Sequence, residues 1–204
     1  ISAEHTGNII EILGGYNCII ENIFLEGNDI ANIGLFIGGA NSKTIVDNEG
    51  VSGYGNRSQY FDVCNVKSSG CSYGAQIGWG ATQLDTTTIR NTDCKGSIAG
   101  ILCEEGNTYA TFIASSATGT YNGTSVGWLL NNGNVQMLGC FSSGALWAVD
   151  INGVNPITID KMEAEGITNA VRINETSYDS WETSSNVTIT SSIFFPTDES
   201  NVGL

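Results

Sequence analysis

Two glutamates near the end of the chain, Glu163 and Glu165, have the spacing of an acid/base pair on a β-strand. Alternate residues of a strand point to one face, and the Cα atoms of such a pair lie roughly 6.6 Å apart. The carboxyl groups of an inverting glycosidase are about 6.5–9.5 Å apart, which leaves room for a water molecule. We therefore take both glutamates as candidate catalytic residues. Exposed strands also carry such pairs for no catalytic reason, and Lys161 and Arg172 are close enough in sequence to neutralise them.

A second group of residues could bind sugars. Exposed aromatic rings stack on sugar faces, although aromatic residues in loops also cover the ends of a core. Carboxylates in the neighbouring connections could accept hydrogen bonds from sugar hydroxyls. The candidate glycan-binding residues are Tyr54, Trp79, Tyr109 and Trp181, together with Glu104 and with Asp150, which stands next to Arg172 one repeat later.

The composition excludes several partners. The chain of 204 residues has 7 Lys+Arg and 21 Asp+Glu, which gives a formal net charge of −14. Binding to nucleic acid or to an anionic membrane needs clustered cationic side chains, so we expect neither partner. No stretch approaches the roughly 18 apolar residues that span a bilayer. A chain of this length favours one compact domain. Because the first residue is not Met, we expect a processed product or a fragment of a longer chain.

The elements that position these residues come from an internal repeat. A glycine recurs as an anchor, with apolar or small residues seven, four and two positions before it, and a small–apolar–any–apolar tail after it. The anchors are Gly27, Gly70, Gly96, Gly119, Gly144 and Gly166. The two-residue spacing predicts short strands, and the three-residue step predicts a bend between them. Half-repeats at 8–13 and 186–195 extend the series at both ends.

This pattern predicts an all-β, parallel β-solenoid of about seven coils of about 22 residues, covering residues 8–195. Asn22, Asn65 and Asn91 stand at the bend in three successive coils, where asparagine tolerates the left-handed conformation and stacked amides can bond along the axis. The chain thus resembles the single-stranded right-handed parallel β-helix proteins of the pectate-lyase-like superfamily, which includes many phage tailspikes. A β-sandwich is the alternative fold.

Two stretches interrupt the repeat, at 38–59 and 174–186, and we expect them to be loops on one side of the solenoid. Recognition usually resides in such loops. The acidic segment at 47–50 offers oxygen ligands of the type that Ca²⁺ prefers, and no other cofactor or metal is expected.

Asp93 is a third catalytic candidate, because "NTD" at 91–93 is similar to the first motif of polygalacturonases. The companion motifs of that family are missing: Ser115 and Ser116 stand where an Asp-Asp pair would lie, and His5 is the only histidine. An ion pair with Lys67, one coil earlier in the same column, is the competing explanation for Asp93.

The six cysteines fall in different columns, and Cys94 and Cys140 lie two coils apart, beyond the roughly 7 Å limit for a disulfide. We therefore expect reduced thiols that fill the core, with no zinc site. One outward column carries Phe36, Leu102 and Leu129, an apolar stripe that a loop or another copy of the chain should cover. Tailspike β-helices associate as trimers, so the resemblance implies a homotrimer through this face.

Three hypotheses follow for function. The first is a phage tailspike-like protein, located in a virion tail, that binds host surface polysaccharide and could also cleave it. The second is a secreted, extracellular polysaccharide hydrolase or lyase that acts as a monomer. The third is a purely structural β-helical stalk.

Overall fold

The computed structural model describes residues 1, 6–38, 57–78, 83–104, 109–131, 133–152, 156–174 and 186–197. Within these ranges the regular elements are sixteen β-strands, with no helix that could cross a membrane. The strands are β1 (Ile10–Leu13), β2 (Tyr16–Gly38), β3 (Arg57–Ile77), β4 (Gln83–Arg90), β5 (Asp93–Cys103), β6 (Tyr109–Ile113), β7 (Ser116–Thr118), β8 (Val126–Leu130), β9 (Asn134–Leu138), β10 (Phe141–Ser143), β11 (Trp147–Asn152), β12 (Ile157–Asp160), β13 (Glu163–Ile167), β14 (Asn169–Asn174), β15 (Val187–Thr190) and β16 (Ile193–Pro196).

The strands stack into three parallel sheets, which the chain visits in the same order in every turn. Sheet A contains the first parts of β2 and β3, then β4, β6, β9, β12 and β15. Sheet B contains the middle parts of β2 and β3, the first part of β5, then β7, β10, β13 and β16. Sheet C contains β1, the last parts of β2, β3 and β5, then β8, β11 and β14. The predicted parallel β-solenoid is confirmed.

The solenoid makes about six turns, whereas the sequence predicted about seven. Before the first full turn, β1 joins only sheet C. After the last full turn, β15 and β16 join only sheets A and B. Each terminal half-repeat therefore completes only part of a turn.

The bend between sheets A and B has a left-handed backbone in every turn. The predicted asparagines adopt it with φ of 57° at Asn22, 54° at Asn65 and 51° at Asn91. The same position in later turns is taken by Ala114, Gly139, Lys161 and Ser191, all with positive φ. The Asn65 amide donates to the Asn22 Oδ1 at 2.8 Å, so the predicted bonding between stacked asparagines is present in the first two turns.

Side chains that alternate along the strands fill the interior. In sheet C the two apolar residues of the repeat tail are buried from turn to turn, from Leu35 and Ile37 to Val149 and Ile151. Trp128 is the largest fully buried side chain and packs edge-on against Phe112 with ring centroids 4.9 Å apart. Its indole N–H donates to the Phe141 carbonyl at 3.0 Å, so its one polar group is satisfied.

Glycine begins the tail of the repeat because sheets B and C approach closely there. A Cβ on Gly127 would lie 2.0 Å from the Ser142 Oγ and 2.7 Å from the Ala148 carbonyl oxygen. The equivalent residues are Gly34, Gly74 and Gly100 in earlier turns and Ala148 and Ala170 in later ones. The small residue of the tail is therefore a packing requirement.

All six cysteines are free, as the sequence predicted. Cys71, Cys94, Cys103 and Cys140 are buried, whereas Cys18 and Cys64 are partly exposed. Burial raises the thiol pKa to about 11 for Cys71 and Cys140 and to about 12 for Cys94, and it raises that of Cys103 further. Removal of a thiolate from water disfavours its charge, so these thiols behave as apolar core groups.

Candidate functional site

Glu163 and Glu165 lie on the outer face of sheet B, as their spacing predicted. Both are exposed on β13. Met162, which precedes Glu163, is 1% exposed, and Ala164, which lies between the two glutamates, is 0% exposed. The Glu163 amide donates to the Cys140 carbonyl at 3.0 Å, which fixes this strand on the preceding turn. The solenoid therefore holds both carboxylates side by side on a rigid, open face.

Apolar and hydroxyl side chains border the two glutamates on both neighbouring strands. Glu163 lies in register between Phe141 and Ile193. Glu165 lies in register between Ser143 and Phe195. Ile193 and Phe195 are 57% and 51% exposed on β16, the last described strand of sheet B.

Tyr121 adds a third ring from the corner between sheets B and C. Its amide donates to the Gly144 carbonyl at 2.8 Å, and its side chain is 68% exposed. A Cβ on Gly144 would lie 2.5 Å from the Tyr121 Cε2, and one on Gly166 would lie 3.3 Å from its Cε1. Glycine at both corners therefore lets the ring rest on the backbone. Because Gly166 directly follows Glu165, the ring lies beside the Glu165 end of the carboxylate pair.

Asn122 holds the loop that carries Tyr121. Its Oδ1 accepts hydrogen bonds from the Thr124 and Ser125 amides at 3.0 and 2.8 Å. Its Nδ2 donates to the Ser97 carbonyl one turn earlier, at 2.9 Å. Hydrogen bonds of both polar atoms of the Asn122 side chain thus hold the loop that carries Tyr121.

We name the set Tyr121, Phe141, Glu163, Glu165 and Phe195 the carboxylate–aromatic surface. In the described part of the chain, neither glutamate forms an ion pair. Lys161, at the bend two residues before Glu163, forms no ion pair with either glutamate, and Arg172 pairs with Asp150. The surface offers ring faces beside two unpaired carboxylates.

Asp93 has a different partner from the predicted one. Lys67 and Asp93 are in register on the outer face of sheet B, as expected, but no ion pair joins them among the described residues. The Ser116 hydroxyl instead donates to the Asp93 Oδ1 from the next turn. A short hydroxyl reaches across one strand spacing without ordering a long side chain, whereas an exposed lysine loses side-chain entropy when it pairs.

Asp150 lies in a bonded cluster on the outer side of sheet C. Arg172, one turn later, contacts both of its carboxylate oxygens, with the Nε to Oδ1 distance at 2.9 Å. The guanidinium also lies 5.0 Å from the ring centre of Trp147. The Asp150 carboxylate raises the pKa of Arg172, chiefly through the side-chain hydrogen bond. The predicted neighbour relation is confirmed, and with 2% exposure Asp150 has little surface to offer a ligand.

Glu104 ends a ladder of amides that runs along the axis. Asn174 donates to the Asn152 Oδ1 at 2.6 Å, Asn152 donates to the Asn131 Oδ1 at 3.1 Å, and Asn131 donates to the Glu104 Oε1 at 2.9 Å. Asn174 also donates to Asp150 at 3.0 Å. The structure thus links Glu104 and Asp150, which lie two turns apart, through hydrogen bonds of the asparagine ladder, and these bonds use the Glu104 Oε1 and, together with Arg172, both oxygens of Asp150.

The remaining sequence candidates are scattered or lie outside the described residues. Tyr109 begins β6 on sheet A and is 56% exposed. Tyr54, Trp79 and Trp181 lie outside the described residues, as do the acidic segment at 47–50 and nearly all of the loops at 38–59 and 174–186. Over the described residues, no three His, Cys, Asp or Glu side chains group as metal ligands.

The apolar stripe of sheet C is largely covered within one chain. Phe36 and Leu102 are 6% and 4% exposed, and Leu129 is half-buried. Their burial removes the argument for a trimer that rested on an exposed stripe. A homotrimer through this face stays a prediction.

Sequence reasoning missed Tyr121, Phe141 and Phe195. One signal for Tyr121 was present: Asn122-Gly123 is a turn dipeptide that lengthens the connection after the Gly119 anchor. Comparisons with protein-family models, with curated proteins and with solved structures gave no match. The β-solenoid fold is consistent with a structural or a polysaccharide-binding role, and the resemblance to tailspikes and pectate-lyase-like proteins stays a prediction.

Proposed function

We propose that this protein binds an extended polysaccharide on the carboxylate–aromatic surface, in the manner of a tailspike-like appendage that contacts cell-surface glycan. The observation that carries the proposal is the exposure of Tyr121 and Phe195 beside Glu163 and Glu165 on a rigid sheet. Large side chains of this kind lose contact with water when a sugar ring covers them, which favours binding.

The chemistry of the surface suits a sugar. Ring faces take the apolar side of a pyranose, and carboxylates accept charge-assisted hydrogen bonds from its hydroxyls. Strand β13 and the hydrogen-bonded Asn122 loop hold Glu163, Glu165 and Tyr121 in place before the ligand arrives, so little conformational entropy of these three side chains is lost on binding. A flat, solvent-exposed sheet face is accessible to a long chain.

Binding to purified bacterial capsular and O-antigen polysaccharides, measured by calorimetry or glycan array, tests the proposal. Tyr121→Ala and Phe195→Ala should each weaken binding at least about fivefold, since truncation of an aromatic anchor costs more than about 1 kcal/mol. Tyr16→Ala is the matched control, because Tyr16 is a comparably exposed ring on sheet A that is not among the candidate residues. Equal affinity in both surface variants, or no binding to any polysaccharide, would overturn the proposal.

We also propose that any cleavage of the bound polysaccharide uses Glu163 and Glu165 as the acid and base. Their positions on alternate residues of β13 support this role. New reducing ends should form with the natural chain, and Glu163→Gln and Glu165→Gln should each abolish them while binding persists. Unchanged turnover in both variants would exclude this pair.

The structural stalk is the second candidate function, and the amide ladder of sheet C favours it. Bonds that connect four successive turns stiffen the solenoid along its axis. A stalk that has no ligand should show no loss of any interaction in Tyr121→Ala and Phe195→Ala, so the same variants separate the two candidates.

A further inference from the structure

We infer that the carboxylate–aromatic surface prefers amino sugars with a free, protonated amino group and disfavours uronic acids. This inference rests on the proposed function and names the substrate class of that surface. It depends on which charges the solenoid leaves unpaired next to the exposed rings.

The two carboxylates are positioned to share one cation. Glu163 and Glu165 project from one face with Cα atoms roughly 6.6 Å apart, so an ammonium group above the strand can reach both. Phe141, Ser143, Ile193 and Phe195 are their register neighbours, and none of these carries a charge. A sugar that stacks on Phe195 or Tyr121 therefore lies beside two carboxylates that have no ion-pair partner among the described residues.

Two cations of the described chain are held by carboxylates on other sheets. Arg90 is held by Asp62 on sheet A, with its Nη2 2.7 Å from the carboxylate. Arg172 is held by Asp150 on sheet C. Of the described lysines, Lys161 is at the neighbouring bend, without an ion pair to either glutamate.

The other two lysines are at the far part of sheet B. Lys95 shares a row with Thr118, Ser143 and Glu165 in successive turns, so it lies three turns, or about 14 Å, from Glu165. Lys67 is one turn further. At that distance, water and salt screen most of their effect on a sugar over β13. A uronic acid there meets repulsion from the glutamates and from a net charge of −14.

The experiment compares three hexamers with a common β-1,4 backbone: glucosamine, N-acetylglucosamine and glucuronic acid. Binding to the intact chain is measured at about pH 6, where amino sugars carry positive charge. The glucosamine hexamer should bind about three- to tenfold more tightly than the N-acetylated one, and the glucuronic acid hexamer should bind most weakly. The preference should shrink as salt is raised.

The double variant Glu163→Gln, Glu165→Gln should erase the preference, because affinity for the glucosamine hexamer should fall to that for the N-acetylated hexamer. Asp93→Asn is the matched control, since it removes an exposed carboxylate on the same sheet three turns before β13. Equal binding of the three hexamers, a preference that survives in the double variant, or failure of the glucosamine hexamer to bind would overturn the inference. If the amino-sugar preference is absent but Tyr121→Ala and Phe195→Ala weaken polysaccharide binding, the proposed function holds and only the inference about amino sugars fails.

Discussion

At the scale of single residues, the most often repeated requirement of the fold is a left-handed backbone conformation at the bend between sheets A and B. Seven such bends occur, one in each of the six full turns and one in the C-terminal partial turn, and asparagine or glycine fills four of the positions. Ala114, Lys161 and Ser191 adopt the same conformation and thereby destabilise the fold, because positive φ costs an L residue roughly 1–2 kcal/mol of conformational free energy. The sequence showed this bend through Asn22, Asn65 and Asn91, but it could not show the later positions, where no residue type marks the conformation.

The bend gives a pair of opposite predictions. Gly139 has φ of 61°, and a Cβ there would meet nothing within 4 Å, so Gly139→Ala tests backbone strain alone. We expect it to lower the free energy of unfolding by about 1 kcal/mol. Ala114→Gly, at φ of 46°, should raise it by up to about 1 kcal/mol. Urea denaturation measures both, and a shift of the same sign in the two variants would contradict this account.

The buried thiols predict an alkaline loss of stability. Cys94 ionises with a pKa of 9.0 when unfolded and of about 12 in the fold, since burial disfavours the thiolate. The contribution of this pKa shift to the free energy of unfolding is therefore complete below pH 9. It is lost as pH rises toward 12, because the unfolded chain releases the Cys94 proton first. Unfolding free energies measured from about pH 8 to 11 should fall more steeply for the natural chain than for Cys94→Ala. Identical slopes would show that this thiol does not couple to folding.

At the scale of elements, the ladder of Glu104, Asn131, Asn152 and Asn174 connects the ends of successive sheet C strands. The inner members Asn131 and Asn152 each donate to one neighbour and accept from another, so removal of either one breaks two bonds. The sequence named Glu104 and Asp150 as ligand-binding residues because it could not show that the Glu104 Oε1 and both oxygens of Asp150 already have partners within the chain. Successive asparagines at 131, 152 and 174 are one coil apart, and this spacing is visible once the coils are aligned.

Asn152→Ala should therefore lower the free energy of unfolding by about 2 kcal/mol, at about 1 kcal/mol for each lost hydrogen bond. Gln136→Ala is the control, since Gln136 is exposed on sheet A, and we expect it to stay within about 0.5 kcal/mol. Denaturation of both variants under one set of conditions checks the difference. A loss at Asn152 no larger than that at Gln136 would mean that the ladder adds nothing to stability.

The elements also show why the site was only partly predictable. Alternation fixed the outward direction of Glu163 and Glu165, because an inward residue lies on each side of the first glutamate. Tyr121 reaches that face from another turn through the extra residues after Gly119, and their path depends on the bonds of Asn122. Periodicity describes residues that repeat, so it gives no position for a residue in an insertion.

At the scale of the whole molecule, each turn contacts only the turn before it and the turn after it. Stability in such a solenoid is approximately a sum of turn and interface terms, so the ends have one interface fewer. The exposed fractions already reflect this difference: Ile159 is 0% exposed in the sixth turn, and its register neighbour Ile189 in β15 is 38% exposed. The same column of side chains in sheet A is thus shielded from solvent in the sixth turn and partly exposed to solvent in the terminal strand.

This gradient predicts the order in which the backbone opens. Native-state hydrogen exchange should be slowest in the middle strands β6, β8 and β9, which carry Phe112, Trp128 and Met137. Amides of β15 and β16 should exchange sooner, by local opening that leaves the central turns folded. Mass spectrometry of peptides from each strand measures the order, and Asn152→Ala should speed exchange in β14 more than in β6. Uniform protection along the chain would instead show one cooperative unit, in which the axial ladders couple all turns so strongly that no end opens alone.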